Sequence, residues 1–493
     1  MFLTLHGYSL SYTANISDRM LNLRTATIKV FSTIFLLTIF GPSKLTAQNQ
    51  TPPNFIIIFA DDLGYGDIGP FGHPTIKTPH LDRMAYEGQK WTNFYVGASV
   101  CTPSRAALLT GRLPVRSGMA SHKSRVLFPD SKYGIPENEI TLAEQLKDLG
   151  YSTACIGKWH LGHKEPYLPT NQGFDYYFGI PYSNDMDRIQ GDEYKNYWSR
   201  SNDSIKTEHF NVPLLRNTEI IERPANQNTI TTRYSNEAVS YIKKNKDKPF
   251  FIYLAHNLPH IPLFASEAFK GKSKRGLYGD VVEEIDNGIG NILKTLKEED
   301  LEKNTIVVFT SDNGPWLSFG LNGGSAGLLK AGKGTTWEGG MRVPTVFWGP
   351  GHIKPGVVTD IGSTMDLFTT FTQWAGGKIP KDRIIDGIDL TKSLTENRES
   401  ERDHMFYYRG DEIYAVRLKN YKAHFVTQGA YGQFGERTEH NKPLLYDLNK
   451  DPSENFDISA DHPEIILEIQ KLVASHNSNM VKGKDQLAER EQN

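Results

Sequence analysis

A chain of 493 residues, 38% hydrophobic and 23% charged, has the composition of an ordinary globular protein and the length for a sizeable core and two domains. Its formal net charge of −2 argues against a general attraction to nucleic acid or anionic lipid, while remaining compatible with a local basic pocket. Cys101 and Cys155 are the only cysteines; a bridge between them is the bland reading, and the sequence around each suggests another role.

Near the N-terminus, Arg24 and Lys29 precede the apolar run VFSTIFLLTIF (30–40) and the exit GPSKLTAQNQ. This pattern predicts a secretory signal within residues 1–47, cleaved after Ala47, and a protein that is periplasmic or secreted. The run is shorter than the ~20 residues that span a bilayer, so no membrane span is expected. Residues 1–19 lack targeting character, which makes Met20 an alternative start.

NFIIIFADD (54–62) reads as a buried strand ending in acids. SVCTPSRAALLTG (99–111) reads as a helix, with Pro103 in its first turn and Gly111 as a left-handed cap. In TLAEQLKDLG (141–150), Thr141 and Glu144 form a capping box, and YSTACIGKWH (151–160) is the next strand. Helices at 233–245 and 280–300 feed the strands KPFFIYLAH (248–256) and NTIVVFTSDNG (304–314). Such alternation predicts an α/β catalytic domain over 52–360, a mostly parallel sheet covered by helices on both faces. After about residue 360 the period shortens to two, as in RDHMFYYRGDEIYAVRLKNYKAHFV (402–426), and a last helix falls at 462–475. A smaller antiparallel sheet with one packing helix is expected over 361–480, followed by a polar, frayed tail, 481–493.

Two strands thus end in oxygen ligands, Asp61 and Asp62 on one and Asp312 and Asn313 on the other. In open α/β sheets ligands gather at the carboxyl ends of strands. Crowded carboxylates repel, and a divalent cation removes that problem; an all-oxygen set favours Ca²⁺, and less so Mg²⁺, over zinc. The alternative is that each acid caps the helix after its strand. Arg105, Lys158, His160, His256, His260 and Lys333 supply basic groups that, with a cation, describe a pocket for a tetrahedral oxyanion. The helix beginning near Cys101 adds partial positive charge, and Cys101 sits where a nucleophile would attack.

CTPSRAALLTGR (101–112) resembles the Cys-x-Pro-x-Arg motif of the type I, formylglycine-dependent sulfatases, and GKWHLG (157–162) resembles their second motif. ADDLGYGD (60–67), SDNG (311–314), KGTTWEGGMRVP (333–344) and LYDLNKDPSEN (445–455) are similar to the same family, in family order, across about residues 52–475. The similarity points toward arylsulfatase A-like and N-acetylgalactosamine-6-sulfatase-like enzymes with an alkaline-phosphatase-like fold. The resemblance implies that Cys101 is oxidised by a maturation enzyme to formylglycine (3-oxoalanine), whose hydrate is the nucleophile. It also implies that Asp61, Asp62, Asp312, Asn313 and the modified Cys101 bind one Ca²⁺. Lys333 or His260 would hold the sulfate and protonate the leaving oxygen, while Arg105 and Lys158 would stabilise the modified residue and the developing charge. His160 would take the proton of the remaining hydroxyl, expelling sulfate by elimination. Ser183 in GIPYSNDM matches a family position beside the metal. His260 matches better than His256, which is expected to be structural.

Two other readings stay open on the residues alone. A phosphatase or phosphodiesterase of the alkaline-phosphatase superfamily would share the strand-end acids, but the Cys-x-Pro-x-Arg motif and all-oxygen ligands oppose it. An inactive protein binding sulfated glycans is opposed by the intact set of site residues. The polar, aromatic stretch 181–203, with Tyr182, Tyr194, Tyr197, Trp198, Asp187 and Arg188, is expected to set specificity for a sulfated carbohydrate or to be a loop packed by its own aromatics.

Overall fold

Every residue of NFIIIFA is buried, which requires a strand covered on both faces. The computed structural model describes residues 52–189 and 205–491. The expected signal segment and Tyr194, Tyr197 and Trp198 lie outside the described residues. In chain order the large sheet begins with β1 (Asn54–Ala60), β2 (Gln89–Tyr95), β3 (Ser152–Gly157), β4 (Tyr176–Gly179) and β5 (Leu214–Arg216). It continues with β6 (Glu219–Glu222), β7 (Phe250–Ala255), β8 (Thr305–Ser311), β9 (Arg342–Trp348) and β10 (Gly356–Ser363). Their spatial order is β10-β2-β9-β8-β1-β7-β3-β4-β5-β6. The central run β8-β1-β7-β3-β4 is parallel, whereas β9 lies antiparallel between β8 and β2.

Alternation along β1 divides the core in two. Ile56 and Ile58 face a cluster with Tyr234, Ala238 and Val281 from the helices Ile230–Lys244 and Leu277–Glu298. Phe55, Ile57 and Phe59 face Ala106, Leu108, Leu146 and Phe368 on the other side. The expected covering of both faces is present. So are two local devices: Thr141 Oγ accepts from Glu144 N–H at 3.1 Å while Glu144 accepts from Thr141 N–H, and Gly111 closes the helix Cys101–Thr110 at φ +65°.

The period-two stretch 402–426 belongs to the smaller sheet, whereas the strand that crosses residue 360 still belongs to the large one. β10 is its edge strand, paired with β2, and the N-terminal half of β10 is partly exposed. The smaller sheet is antiparallel, β11 (His404–Arg409), β12 (Glu412–Leu418), β13 (Tyr421–Thr427) and β14 (Thr438–Asp447). Ile466 and Ile469 of the helix Pro463–Ser478 pack on it, in a cluster that also contains Tyr95 and Val343 of the large sheet. A buried ionic joint adds to this contact. Glu338 accepts from Tyr95 Oη (2.6 Å), Lys422 Nζ (2.9 Å) and Tyr407 Oη (3.1 Å). Burial opposes its ionisation, but Lys422, Arg342 and Arg417 overcome that and hold its carboxyl at about 2.

The tail departs from expectation. Leu487 is buried in the core, Gly483 N–H donates to Val115 O at 2.9 Å, and Ser121 Oγ donates to Asp485 at 2.6 Å. One apolar anchor and a few backbone hydrogen bonds hold a segment whose composition alone reads as frayed.

Candidate active site

Strand ends β1, β3, β7 and β8 converge with the N-terminus of the helix Cys101–Thr110, and each contributes at least one polar side chain. Past β1, Asp62 turns into left-handed backbone at φ +62°, and its N–H donates to Asp312 Oδ1 at 3.1 Å. That bond ties the two acid pairs together. Donor atoms of Asp61, Asp62, Cys101 and Asp312 lie within 4.8 Å of one another, all buried.

Each carboxylate has its own basic partner. Lys158 Nζ is 2.5 Å from Asp61, Lys333 Nζ is 2.7 Å from Asp62, and the Arg105 guanidinium is 2.9 Å from Asp312. Three positive and three negative groups therefore offset one another, so repulsion among the acids does not by itself demand a cation. The acids still differ. Burial resists ionisation of Asp61, but Lys158, His260, Arg105 and Lys333 together hold it well below the usual carboxylate range. Burial and the negative charge of Asp61 instead push Asp312 up to about 7.

A metal ion fits this cluster on a separate observation. Asn313 Nδ2 donates to Asp62 Oδ1 (2.7 Å) and to Gly314 O, leaving Asn313 Oδ1 buried without a partner. An unpartnered amide oxygen beside three carboxylates completes an oxygen donor set for a hard cation.

Cys101 lies between the charges. Its thiol donates to Asp61 Oδ1 at 3.4 Å and receives Lys333 Nζ at 3.5 Å. Burial, then Asp61, pushes its ionisation well above the ordinary thiol range. Both cysteines are free, so the single-bridge reading is excluded, and Cys155 is a core side chain of β3.

The histidines are ordered by what they touch. His160 Nε2 lies 2.8 Å from Leu127 O; a carbonyl only accepts, so this nitrogen carries the proton and Nδ1, buried and unpartnered, is the free base. His260 Nδ1 lies 2.5 Å from Ile261 O, which leaves Nε2 to accept from Ser183 Oγ at 3.4 Å. Lys158 in turn donates to Ser183 at 3.2 Å. Burial and Lys333 keep His260 well below the usual histidine range. His256 is buried with neither ring nitrogen partnered, and burial lowers it to about 4.

Cys101, His160, Ser183, His260 and Lys333 line one cavity of about 680 Å³, a volume suited to a small ligand. Arg188 lines it as well, bonded through Nε to Asp185 O at 3.2 Å. Tyr182 does not offer an open face to a sugar. It is 5% exposed, and its hydroxyl donates to Asp187, which is held by Arg223 at 2.6 Å. The sequence reading missed Trp316, whose ring lies under Lys333 Nζ at 4.3 Å, and Tyr431, which reaches the cavity from the small sheet. Neither carries a periodic or motif signal.

Strand-end acids balanced by three buried cations, with histidines and a metal-capable donor set at the carboxyl ends of a mostly parallel sheet, suit an enzyme acting on tetrahedral oxyanion esters. The chain belongs to the sulfatase family: the Sulfatase model matches residues 53–377 and the C-terminal region of aryl-sulfatase matches residues 400–493. It is 41% identical to arylsulfatase A of Homo sapiens over 85% of this chain and 87% of that protein. To N-acetylgalactosamine-6-sulfatase of Canis lupus familiaris it is 40% identical over 92% of this chain and 91% of that one. Among solved structures, the PsFucS1 sulfatase of Pseudoalteromonas sp. superposes with a TM-score of 0.77 at 29% identity, covering 88% of this chain and 92% of that chain. The protein is thus a sulfuric ester hydrolase. No helix among the described residues is long and apolar enough to cross a membrane.

Proposed function

We propose that this sulfatase removes sulfate from a sulfated carbohydrate, a polysaccharide or an oligosaccharide cut from one, using formylglycine made from Cys101 and one Ca²⁺. The carrying observation is the setting of Cys101, a lone buried thiol at a helix start, bonded to Asp61 and Lys333 in a cavity of sugar-sized volume. A thiol held protonated there is a poor nucleophile, which supports its replacement by an oxygen group. The carbohydrate class rests on the amino-sugar sulfatase among the relatives and on the polar side chains Asp185, Asp187 and Arg188 in the cavity's lining.

Asp61, Asp62, Asp312, Asn313 and the modified Cys101 would hold the ion, and their number and flexible oxygen donors favour Ca²⁺ over Mg²⁺. The ion would offset carboxylate charge and polarise the sulfate, while the hydrated aldehyde would supply the attacking oxygen. Lys333 is the better of the two candidate acids for the leaving oxygen, because the Nε2 of His260 is engaged as an acceptor from Ser183. His260, Ser183 and Lys158 then orient the sulfate, and Arg105 keeps Asp312 in place. Unpartnered Nδ1 of His160 is the base for the step that releases sulfate. Conversion of Cys101 calls for a maturation enzyme and oxidant in the host.

A panel of sulfated saccharides with 4-nitrophenyl sulfate as control tests the reading. The saccharides should be the better substrates, and turnover of the aryl sulfate alone would overturn it. Within that panel, Arg188→Ala should lower kcat/KM on the preferred sugar by about tenfold and on the aryl sulfate by less than about threefold. Equal losses on both would remove the segment from specificity. Export is part of the same reading, supported by the basic and apolar residues 24–40. N-terminal sequencing of the protein from an exporting host should begin at Gln48, and an uncleaved product would overturn export by this signal.

A further inference from the structure

A second cavity, of about 370 Å³, opens beside the first, between Ser99–Val100 at the start of the helix Cys101–Thr110 and the turn from β11 to β12. Arg125 lines both cavities. Two other basic side chains on the second cavity are already matched by acids: His122 with Asp411, and Arg437 with Glu412 and Glu439. Arg125 and Arg409 differ. Arg125 donates to Gly334 O at 3.2 Å and stacks over Tyr431 at 5.0 Å, and Arg409 donates to Gly429 O at 2.8 Å and Gln428 O at 3.3 Å. Among the described residues neither guanidinium has a carboxylate partner. In Arg409 the two carbonyls occupy only one terminal nitrogen, so Nε and the other amino group remain as a fork of donors. Burial and the neighbouring Arg125 both press Arg409 down, to about 10, which marks an uncompensated pair of like charges.

We propose that this cavity is a second anion subsite, in which Arg125 and Arg409 hold a sulfate or carboxylate on a further sugar of the chain being desulfated. The inference rests on the carbohydrate reading above and adds to it a preference for polyanionic saccharides. Continuity supports one ligand occupying both cavities, since Gly334, which binds Arg125, directly follows Lys333 of the catalytic cavity. The two arginines come from different sheets' surroundings, so the subsite exists only where the small sheet meets the large one.

The test compares kcat/KM for three galactose-based disaccharides: one monosulfated, one disulfated, and one with a single sulfate and a uronate carboxylate. Wild type should favour at least one dianionic probe over the monosulfated one by about tenfold or more, and which probe is favoured identifies the anion. Arg409→Gln should cut that ratio to within about threefold, and Arg409→Lys should restore part of it. If Arg409→Gln keeps the wild-type ratio, the subsite is overturned while the carbohydrate reading stands. If none of the disaccharides is turned over and 4-nitrophenyl sulfate is, the carbohydrate reading itself has failed. Should Arg409→Gln not fold, the ratio in wild type is followed from low salt to about 0.5 M; it should fall as a partly exposed charge pair is screened, and a salt-independent ratio overturns the subsite.

Discussion

Cys101→Ala is expected to lower sulfate release by at least about 10⁴-fold while leaving the thermal midpoint nearly unchanged. The side chain is 2% exposed but small, and it fills no large gap in the core, so its truncation removes little packing. Its hydrogen bonds to Asp61 and Lys333 are long, at 3.4 and 3.5 Å, and both partners keep other contacts. A large activity loss with a small stability loss is therefore the signature of a reacting group. Cys155→Ala is the control: it removes a buried sulfur from β3, should cost about 1 kcal/mol, and should keep activity. Equal losses of activity in both variants would contradict the proposed nucleophile. Intact mass supplies an independent check, because conversion of the thiol to an aldehyde lowers the chain mass by about 18 Da.

The legible part of the site lies where one element alone determines a residue's position. Asp61, Asp62, Asp312 and Asn313 each follow a run long and apolar enough for a buried strand, so their place at the carboxyl ends of central strands follows from the run that precedes them. The cap at Gly111 and the box at Thr141 and Glu144 are equally local. What stayed hidden depends on tertiary meetings. Nothing near Lys333 in sequence announces Asp62, 271 residues away, as its partner. Tyr431 and Arg125 enter their cavities from segments with no periodicity, and Leu487 anchors a tail that is otherwise polar. Tyr182 shows the converse: composition left it between a sugar-binding surface and a packed loop, and tertiary packing puts it in the core. The pairing of three acids with three cations is the largest such surprise, because it changes how the metal should be tested.

Chelation and Asp312→Ala should both abolish activity, by about 10³-fold or more, yet separate in stability. Removing a divalent ion from the strand-end cluster leaves Asp61, Asp62 and Asp312 beside Lys158, Lys333 and Arg105, at 2.5 to 2.9 Å. The metal-free cluster is already neutral in formal charge, so the chelated protein should stay folded, its thermal midpoint falling only by the binding energy of the ion. Asp312→Ala is different, because Arg105 is fully buried and Asp312 is the acid nearest to it. Its guanidinium would keep only the Lys158 carbonyl at 2.8 Å and the more distant Asp61 at 3.6 Å. Leaving a buried charge so poorly paired costs about 3–5 kcal/mol, so this variant should melt several degrees below both wild type and the chelated protein. Added Ca²⁺ should restore the chelated enzyme and leave Asp312→Ala inactive. Restoration by Zn²⁺ but not by Ca²⁺ or Mg²⁺ would overturn the oxygen-ligand assignment, and full activity in excess chelator would remove the metal from the reaction.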